Sequence, residues 1–537
     1  MRHGDWKRRW DEVEEYWPRR LLHIPTLTSI ERQGFATYLG TEAPEYNILS
    51  YTWGRWMVEH NVRASATALP VKGTPWVIPA VKEEHFTVAA FQNVVDRLGE
   101  GGCEWAWIDI ACIDQDDDDI KADEVGKQAS IFMLASRVYV WLSHLGNDHA
   151  SGVIQDLEGA GIQLGNLLNR GAGAPAFELV QRIHRQCKLI FGDPWFSSLW
   201  TLQEFFLRID SKILSSEGIK IARMVALTST CGHLYKDLQR LAEMATLDWG
   251  QLLMGESQKD KDLLSMAKEV RDLLQQTGFR YRSGVSNPNV QYGIARSRKT
   301  SRPEDRVYAI MQAYNLRVGR SVRPGEHPGL KELSDEFAFA INAKCPILGQ
   351  MFNHEERPPN GKSWAITESS SVPGFLLHYD NPRPQCKVRR RSDGAFFIRG
   401  KCVSFGSLAR LLESKTKFFL NFSLSLDGVR TGASAESEDG NGITAPRVQA
   451  LSTVEDDIQS LLQQFRVDEI CVLLLGEISQ NLSRSEHIGL VVCQERCTNT
   501  QGGHRLYRRL GVCTWRSHEL RQAIGGLRWV KQELQFC

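Results

Sequence analysis

The fold of the N-terminal half is decided by the stretch YNILSYTWG, residues 46–54. Four of its first six residues, Tyr46, Ile48, Leu49 and Tyr51, are apolar or strand-favouring, and Thr52, Trp53 and Gly54 end the run, so the pattern predicts a buried β-strand. Similar runs follow at residues 104–110 and 137–142, and helical patterns separate the three runs. Strands that alternate with helices favour an α/β fold with a parallel sheet and βαβ crossovers.

Farther along, the chain changes character twice. Inserted helices are predicted at about residues 143–194, before a helix that ends near Leu207 and a short strand at 212–214. Residues 431–446 are poor in hydrophobic side chains, which predicts a mobile loop. We therefore predict a lead segment, an α/β domain, a helical region and a β-rich C-terminal domain, at residues 1–45, 46–215, 216–345 and 346–537.

The composition is that of an ordinary globular protein. Of its 537 residues 42% are hydrophobic, and 65 basic against 64 acidic residues leave a formal net charge of +1, which makes a nucleic-acid partner improbable. The 12 cysteines form no Cys-x-x-Cys pair, so neither a zinc site nor a disulfide scaffold is expected. Neither a signal peptide nor a run of membrane-spanning length is present. We expect a cytoplasmic protein with no metal and no membrane partner.

Three motifs, in this order, resemble those of the heterokaryon incompatibility (HET) domain of fungi. They are ILSYTWG at residues 48–54, WIDIACIDQ at 107–115, and the pair WF and LWTLQE within 195–204. Residues 302–309 are also similar to the segment that commonly follows this domain. The resemblance implies a protein of self/non-self recognition and programmed cell death, a form of innate immunity, with an unidentified incompatibility partner.

The HET resemblance also implies a TIR-like, flavodoxin-like parallel sheet with helical insertions. TIR enzymes that hydrolyse NAD carry a Trp-x-x-x-Glu motif, and Trp200 and Glu204 have that spacing here. By this resemblance Glu204 is the catalytic carboxylate of an NAD glycohydrolase, NAD is a substrate and no prosthetic group is needed. Activation by self-association into a homo-oligomer is implied as well. The insertion at 143–194 departs from the TIR pattern, so it decides whether the cleft stays open.

Cleavage of the nicotinamide–ribose bond requires a carboxylate near the ribose, because positive charge grows there in the transition state. Open parallel sheets bind ligands beyond the carboxyl ends of their strands, which is where the first two motifs lie. The predicted substrate-binding residues belong to these strand ends and to the Glu204 helix. They are Ser50, Tyr51, Trp53, Gly54, Asp109, Asp114, Gln115, Trp200 and Gln203.

Simpler interpretations stand beside the two motif residues on this helix. Glu204 has Arg208 four residues later, and a surface ion pair between them would explain the carboxylate equally well. Trp200 fits a core position at least as well as a pocket wall, because aromatic side chains dominate core burial. For the whole protein, the alternative function is a non-enzymatic interaction and signalling module of the HET class.

Three further features favour structural roles over chemistry. Cys112 has no neighbouring His in the sequence and is expected to be a buried thiol. The acidic run at 114–119 lacks the Gly of a calcium loop and fits a solvated turn and helix start. The basic run at 387–391 fits an exposed strand edge better than a nuclear signal.

Overall fold

A computed structural model describes most of the chain. The described residues are 16–52, 66–67, 69–78, 81–82, 87–170, 176–221, 261–278, 286–377, 379–408, 422–427, 469–480, 484–495, 505–516 and 527–536. The chain forms two compact units, Met1–Arg282 with Ser297–Pro328, and Ser283–Arg296 with Gly329–Cys537. Trp53, Gly54 and the loop predicted at 431–446 lie outside the described residues.

The first unit is built on a six-stranded sheet of order β6-β5-β3-β4-β1-β2. Its strands are β1 Arg20–His23, β2 Thr28–Glu31, β3 Tyr46–Ser50, β4 Trp105–Trp107, β5 Arg137–Trp141 and β6 Lys212–Leu214. Strands β3 to β6 run parallel to their neighbours in this group, which confirms the predicted parallel sheet. Strands β1 and β2 form an antiparallel hairpin beside β4. The hairpin belongs to residues 1–45, for which the sequence predicted a lead segment and no part of the sheet.

Helices connect the parallel strands. They are α1 Val88–Leu98, α2 Asp109–Cys112, α3 Asp118–Val125, α4 Gln128–Leu134, α5 Asn147–Arg170, α6 Ala176–Phe191, α7 Trp200–Leu207 and, after the sheet, α8 Lys261–Thr277. The helices α5 and α6 confirm the predicted insertion. The strand predicted at 104–110 is too long, because Asp109 already begins α2. The helical pattern between the runs at 104–110 and 137–142 includes two helices, α3 and α4, which are separated at Gly126 and Lys127.

Local sequence explains why α1 forms and which face it buries. The Thr87 side chain accepts a hydrogen bond from the Ala90 amide (3.1 Å), an N-cap that is typically worth about 1 kcal/mol. The apolar side chains at helical spacing lie in the core, as the pattern predicted, namely Phe91, Val94, Val95 and Leu98. Strand β3 is buried along its whole length, as expected for a parallel strand inside a sheet.

The second unit contains the helices Asn289–Ala295 and Leu330–Lys344 and is otherwise rich in strands, as predicted. The strands are β7 Asn353–His354, β8 Ser370–Ser371, β9 Asp380–Pro384, β10 Lys387–Arg390, β11 Phe396–Ser404, β12 Phe422–Leu426, β13 Ile470–Gln480, β14 Arg484–Gln494, β15 Leu506–Arg516 and β16 Val530–Phe536. Eight of them form one sheet with β10 at an end, which confirms the basic run as an exposed edge. No helix within the described ranges is both long and apolar enough to span a membrane.

Candidate functional site

The carboxylate of Glu204 lies beyond the carboxyl end of β3, where two side chains donate to it. Ser50, the last residue of β3, donates its hydroxyl hydrogen to Oε2. The amide of Gln128, at the start of α4, donates to Oε1 at 3.0 Å. Each carboxylate oxygen therefore has its own donor, so the orientation of the group is defined on both sides.

The alternative ion pair between Glu204 and Arg208 is wrong. The Arg208 guanidinium binds Asp210 instead, with its Nε 2.9 Å from Oδ1. It also donates to the backbone carbonyls of Phe132 (2.8 Å) and Ala135 (2.7 Å), near the C-terminus of α4. Arg208 thus satisfies helix-end carbonyls, a structural role that leaves Glu204 to its other partners.

The buried indole of Trp195 supports Ser50 from the core. Its Nε1 donates to Ser50 Oγ at 2.7 Å, and both side chains are buried. A hydroxyl has one hydrogen, so a Ser50 oxygen that accepts from Trp195 directs this hydrogen to Glu204. The motif residue Trp195 is therefore a core residue that also orients the donor of the carboxylate.

A second carboxylate lies close to Glu204. Burial and the nearby Asp109 carboxylate both raise the pKa of Tyr51, and Asp109 Oδ1 accepts from the Ile110 amide at 2.7 Å at the start of α2. Burial, together with the negative charge of Asp109, raises the pKa of Glu204 to about 8, against the opposing effect of the hydrogen bonds from Ser50 and Gln128. Glu204 is thus largely protonated at pH 7, although it retains partial solvent access.

The indole of Trp200 is held by a residue far along the chain. Its Nε1 donates to Asp305 Oδ2 at 3.2 Å, and the same oxygen accepts from the Thr300 hydroxyl at 2.6 Å. Burial raises the pKa of Asp305. Trp200 is only partly buried, so one edge of its ring is anchored while part of the ring remains accessible.

Residues 298–305, called the return segment from here on, also fix the turn before α7. Arg298 is buried and donates to the carbonyls of Trp195 (3.2 Å), Ser198 (3.1 Å) and Thr277 (2.6 Å). The neighbouring Lys299 bridges this turn through its backbone, with its amide 2.7 Å from the Ser197 carbonyl. The helix that carries Glu204 is therefore anchored by residues about a hundred positions later in the sequence.

Asp114 serves the acidic turn and not the Glu204 site. Its Oδ1 accepts from the amides of Asp116 and Asp117, both at 2.9 Å, and Asp117 in turn caps α3. This confirms the interpretation of the run as a helix start. The turn lines an open cavity of about 460 Å³ whose described lining consists of Pro75, Trp76, Asp114, Asp116, Asp117, Asp118, Asp119 and Arg320. Among the residues that the structure describes, no His, Cys, Asp or Glu trio could hold a metal ion.

The two predicted glutamines differ in their surroundings. Both ends of the Gln115 amide have hydrogen-bond partners nearby in the sequence. Its Nε2 donates to the Ile113 carbonyl (2.8 Å), and its Oε1 accepts from Lys121 (3.4 Å). Gln203 is 1% exposed, and in the described structure neither its amide nitrogen nor its oxygen has a hydrogen-bond partner. A buried carboxamide without hydrogen bonds typically costs about 1–3 kcal/mol of folding free energy. Gln203, which precedes Glu204 in the sequence, therefore destabilises the fold.

The structure thus brings four of the predicted residues together, namely Ser50, Tyr51, Asp109 and Glu204. Sequence reasoning missed Gln128, Thr300 and Asp305, which contact the site from distant parts of the chain. No local pattern marks a single Gln at a helix start. Asp305 begins the short helix Asp305–Tyr308, within the segment 302–309 that resembles the one following HET domains.

The fold and this site define an α/β protein whose parallel sheet presents a partly buried carboxylate at its carboxyl edge. Residues 46–204 match the family model described as heterokaryon incompatibility protein (HET). The chain therefore contains a HET domain, and the matched range ends at Glu204 itself. Comparison with curated proteins finds no match, and comparison with solved structures also finds none.

Proposed function

We propose that this HET domain hydrolyses NAD at the nicotinamide–ribose bond when it self-associates, with Glu204 as the catalytic carboxylate. The consequence would be depletion of NAD in the cytoplasm, as an effector of self/non-self recognition and programmed cell death. The observation that carries the proposal is the Glu204 carboxylate, which Ser50 and Gln128 hold beyond the carboxyl end of β3.

The order of the parallel strands supports a TIR-like, flavodoxin-like arrangement. Numbered by their order in the chain, the four parallel strands lie side by side as second, first, third and fourth. In sheets of this kind ligands bind where the direction of the order reverses, between the first and third strands. Ser50 ends the first of these, and Trp141 at the end of the third stacks on Tyr51 with ring centroids 5.9 Å apart.

The charge state of Glu204 suits a cationic substrate. Burial holds its pKa at about 8, so the carboxyl is mostly neutral at pH 7. A nicotinamide ring carries a positive charge, and an opposite charge within about 4–6 Å lowers the pKa of a carboxyl group. Binding of NAD would thus favour the ionised form, which then stabilises the oxocarbenium-like transition state as nicotinamide leaves.

Nicotinamide release tests the proposal directly. Concentrated, full-length protein is incubated with NAD, alone and in forced oligomers, and compared with Glu204→Gln and Glu204→Ala. The control is Glu269→Gln, which alters an exposed glutamate on α8 that pairs with Lys188 at 2.9 Å. We expect release by the wild type and the control and at least a ~100-fold loss in both Glu204 variants, since positioned charges of this kind typically contribute 10²–10³-fold.

Two results would overturn the proposal. Equal turnover in the wild type and both Glu204 variants would remove Glu204 from the mechanism. No nicotinamide release in any oligomeric state would reject hydrolysis of NAD and leave the non-enzymatic interaction module as the function of the HET domain. Circular dichroism of each variant shows whether the fold is intact.

A further inference from the structure

Gln128 occupies an unusual position for a glutamine. It is the first residue of α4, yet it is only 7% exposed. Its Nε2 donates to Glu204 Oε1 at 3.0 Å, while its own Oε1 is buried and has no hydrogen-bond partner in the described structure. An unpaired buried oxygen weakens a fold, so stability alone does not account for a glutamine at this place.

The backbone at Gln128 is held from the next segment of the first unit. The Ala129 amide donates to Gln312 Oε1 at 3.3 Å, and Gln312 Nε2 donates to the Gly126 carbonyl. These two contacts fix the start of α4 on both sides of Gln128. The side chain therefore reaches Glu204 from a rigid base, without depending on a mobile loop.

The side-chain amide of Gln128 is oriented with its nitrogen, and not its oxygen, toward Glu204. Turning it by half a turn would place its oxygen against a Glu204 oxygen and bury an NH₂ group where only Oε1, without a partner, lies now. Both changes are unfavourable when Glu204 is ionised, because a carboxylate only accepts hydrogen bonds. The orientation in the structure therefore favours the ionised form of Glu204 over its neutral form.

We propose that Gln128 is a positioning residue which, together with Ser50, fixes both the direction and the negative charge of the Glu204 carboxylate during the reaction. The inference deepens the proposed function and rests on it, because it requires Glu204 to be the reacting group. The charged group that faces Glu204 is Asp109 from α2, whereas β3 and α4 present the neutral donors Ser50 and Gln128.

The two donors oppose the effects of burial and of Asp109 on the pKa of Glu204. The variant Gln128→Leu removes the donor to Oε1 and leaves burial and Asp109 in place. We expect the titration midpoint of Glu204 to rise by about one pH unit or more, since hydrogen bonds to a carboxylate favour its charged form. The pH at which nicotinamide release reaches half its maximum should rise by the same amount.

Carbon-13 NMR of the full-length protein with labelled glutamate side-chain carboxyls measures this midpoint without any need for activity. The signal that disappears in Glu204→Gln identifies Glu204. The matched control is Gln92→Leu on α1, where Gln92 Nε2 donates to Asp96 at 2.9 Å, a similar amide–carboxylate bond on the surface. The control should leave the midpoint of Glu204 and the pH profile of nicotinamide release unchanged.

A second variant keeps the test valid if Gln128→Leu does not fold. Gln128→Glu has nearly the same shape and places two carboxyl groups side by side, so the pair should titrate in two separated steps. An unchanged Glu204 midpoint in a folded Gln128→Leu, or a single unshifted step in Gln128→Glu, would overturn the role of Gln128. A shifted midpoint without nicotinamide release would confirm the contact and reject only the hydrolysis of NAD.

Discussion

The first prediction concerns Arg298, which we expect to hold the turn before α7 in place. Its buried guanidinium donates to three backbone carbonyls, of Trp195, Ser198 and Thr277, at 3.2, 3.1 and 2.6 Å. Arg298→Met keeps most of the side-chain volume but removes every one of these donors. The Trp195 and Ser198 carbonyls keep the Thr201 hydroxyl as a donor, so the main loss is that of the hydrogen bonds from the charged guanidinium. Such bonds are worth about 1.5–3 kcal/mol each, and removal of a desolvated charge offsets part of the loss.

We therefore expect Arg298→Met to reduce the free energy of opening of the turn at 194–199 by about 3 kcal/mol. Since 1.4 kcal/mol corresponds to a factor of ten, amide hydrogen exchange there should accelerate roughly 100-fold. The relevant amides include Ser198, bonded to the Pro194 carbonyl (3.0 Å), and Leu199, bonded to the Lys299 carbonyl (3.0 Å). Mass spectrometry of peptic peptides measures this rate.

The matched control is Arg182→Met. Arg182 forms an ion pair with Asp156 on the surface, and its side chain is 42% exposed, so its removal should change stability by at most about 1 kcal/mol. If exchange in the turn accelerates less than about fivefold in Arg298→Met, the return segment does not hold the turn, and our account of how α7 is anchored is wrong.

Three other predictions concern single positions. Burial raises the pKa of Glu124 from 4.5 to about 7, so the folded state loses stability as the pH rises from about 4.5 through 7. In urea unfolding, Glu124→Gln should therefore gain about 2–3 kcal/mol over the wild type at pH 8 and little at pH 4.5, and an equal gain at both would refute this. Burial raises the pKa of the Cys112 thiol to about 12, so iodoacetamide at pH 7.5 should label it only after unfolding, and early labelling would contradict this. Gly218→Ala should lower the free energy of unfolding by about 1–3 kcal/mol more than Gly325→Ala does. Both glycines have a positive φ, but only at Gly218 would a Cβ lie 2.9 Å from atoms of Val94. Equal losses in the two variants would exclude the clash.

Local patterns were sufficient where neighbours in sequence decide the structure. The apolar run of β3, the buried stripe of α1 and the helix that carries Glu204 all follow from the spacing of nearby side chains. The resemblance to the HET domain indicated Ser50 and Asp109 near Glu204, and the structure brings them together.

Contacts between distant residues were not predictable in the same way. Gln128 is 76 residues from Glu204, and Asp305 is 105 residues from Trp200, so neither contact leaves a periodic signal. Asp114 was misplaced for a related reason. It lies in the same motif as Asp109, but the chain turns between the two residues. Its Oδ1 accepts hydrogen bonds from two amides of that turn.

The late return of Arg298 and Asp305 has a consequence for how the protein is made. At roughly 5–20 residues per second, synthesis of the 105 residues between Trp200 and Asp305 takes roughly 5–20 s. During that interval Glu204 already exists in the growing chain, while the residues that anchor its helix do not. We expect ribosome-bound chains stalled before residue 298 to show rapid hydrogen exchange at 194–199. The Glu204 carboxylate would thus stay in an unassembled frame until most of the first unit has been translated.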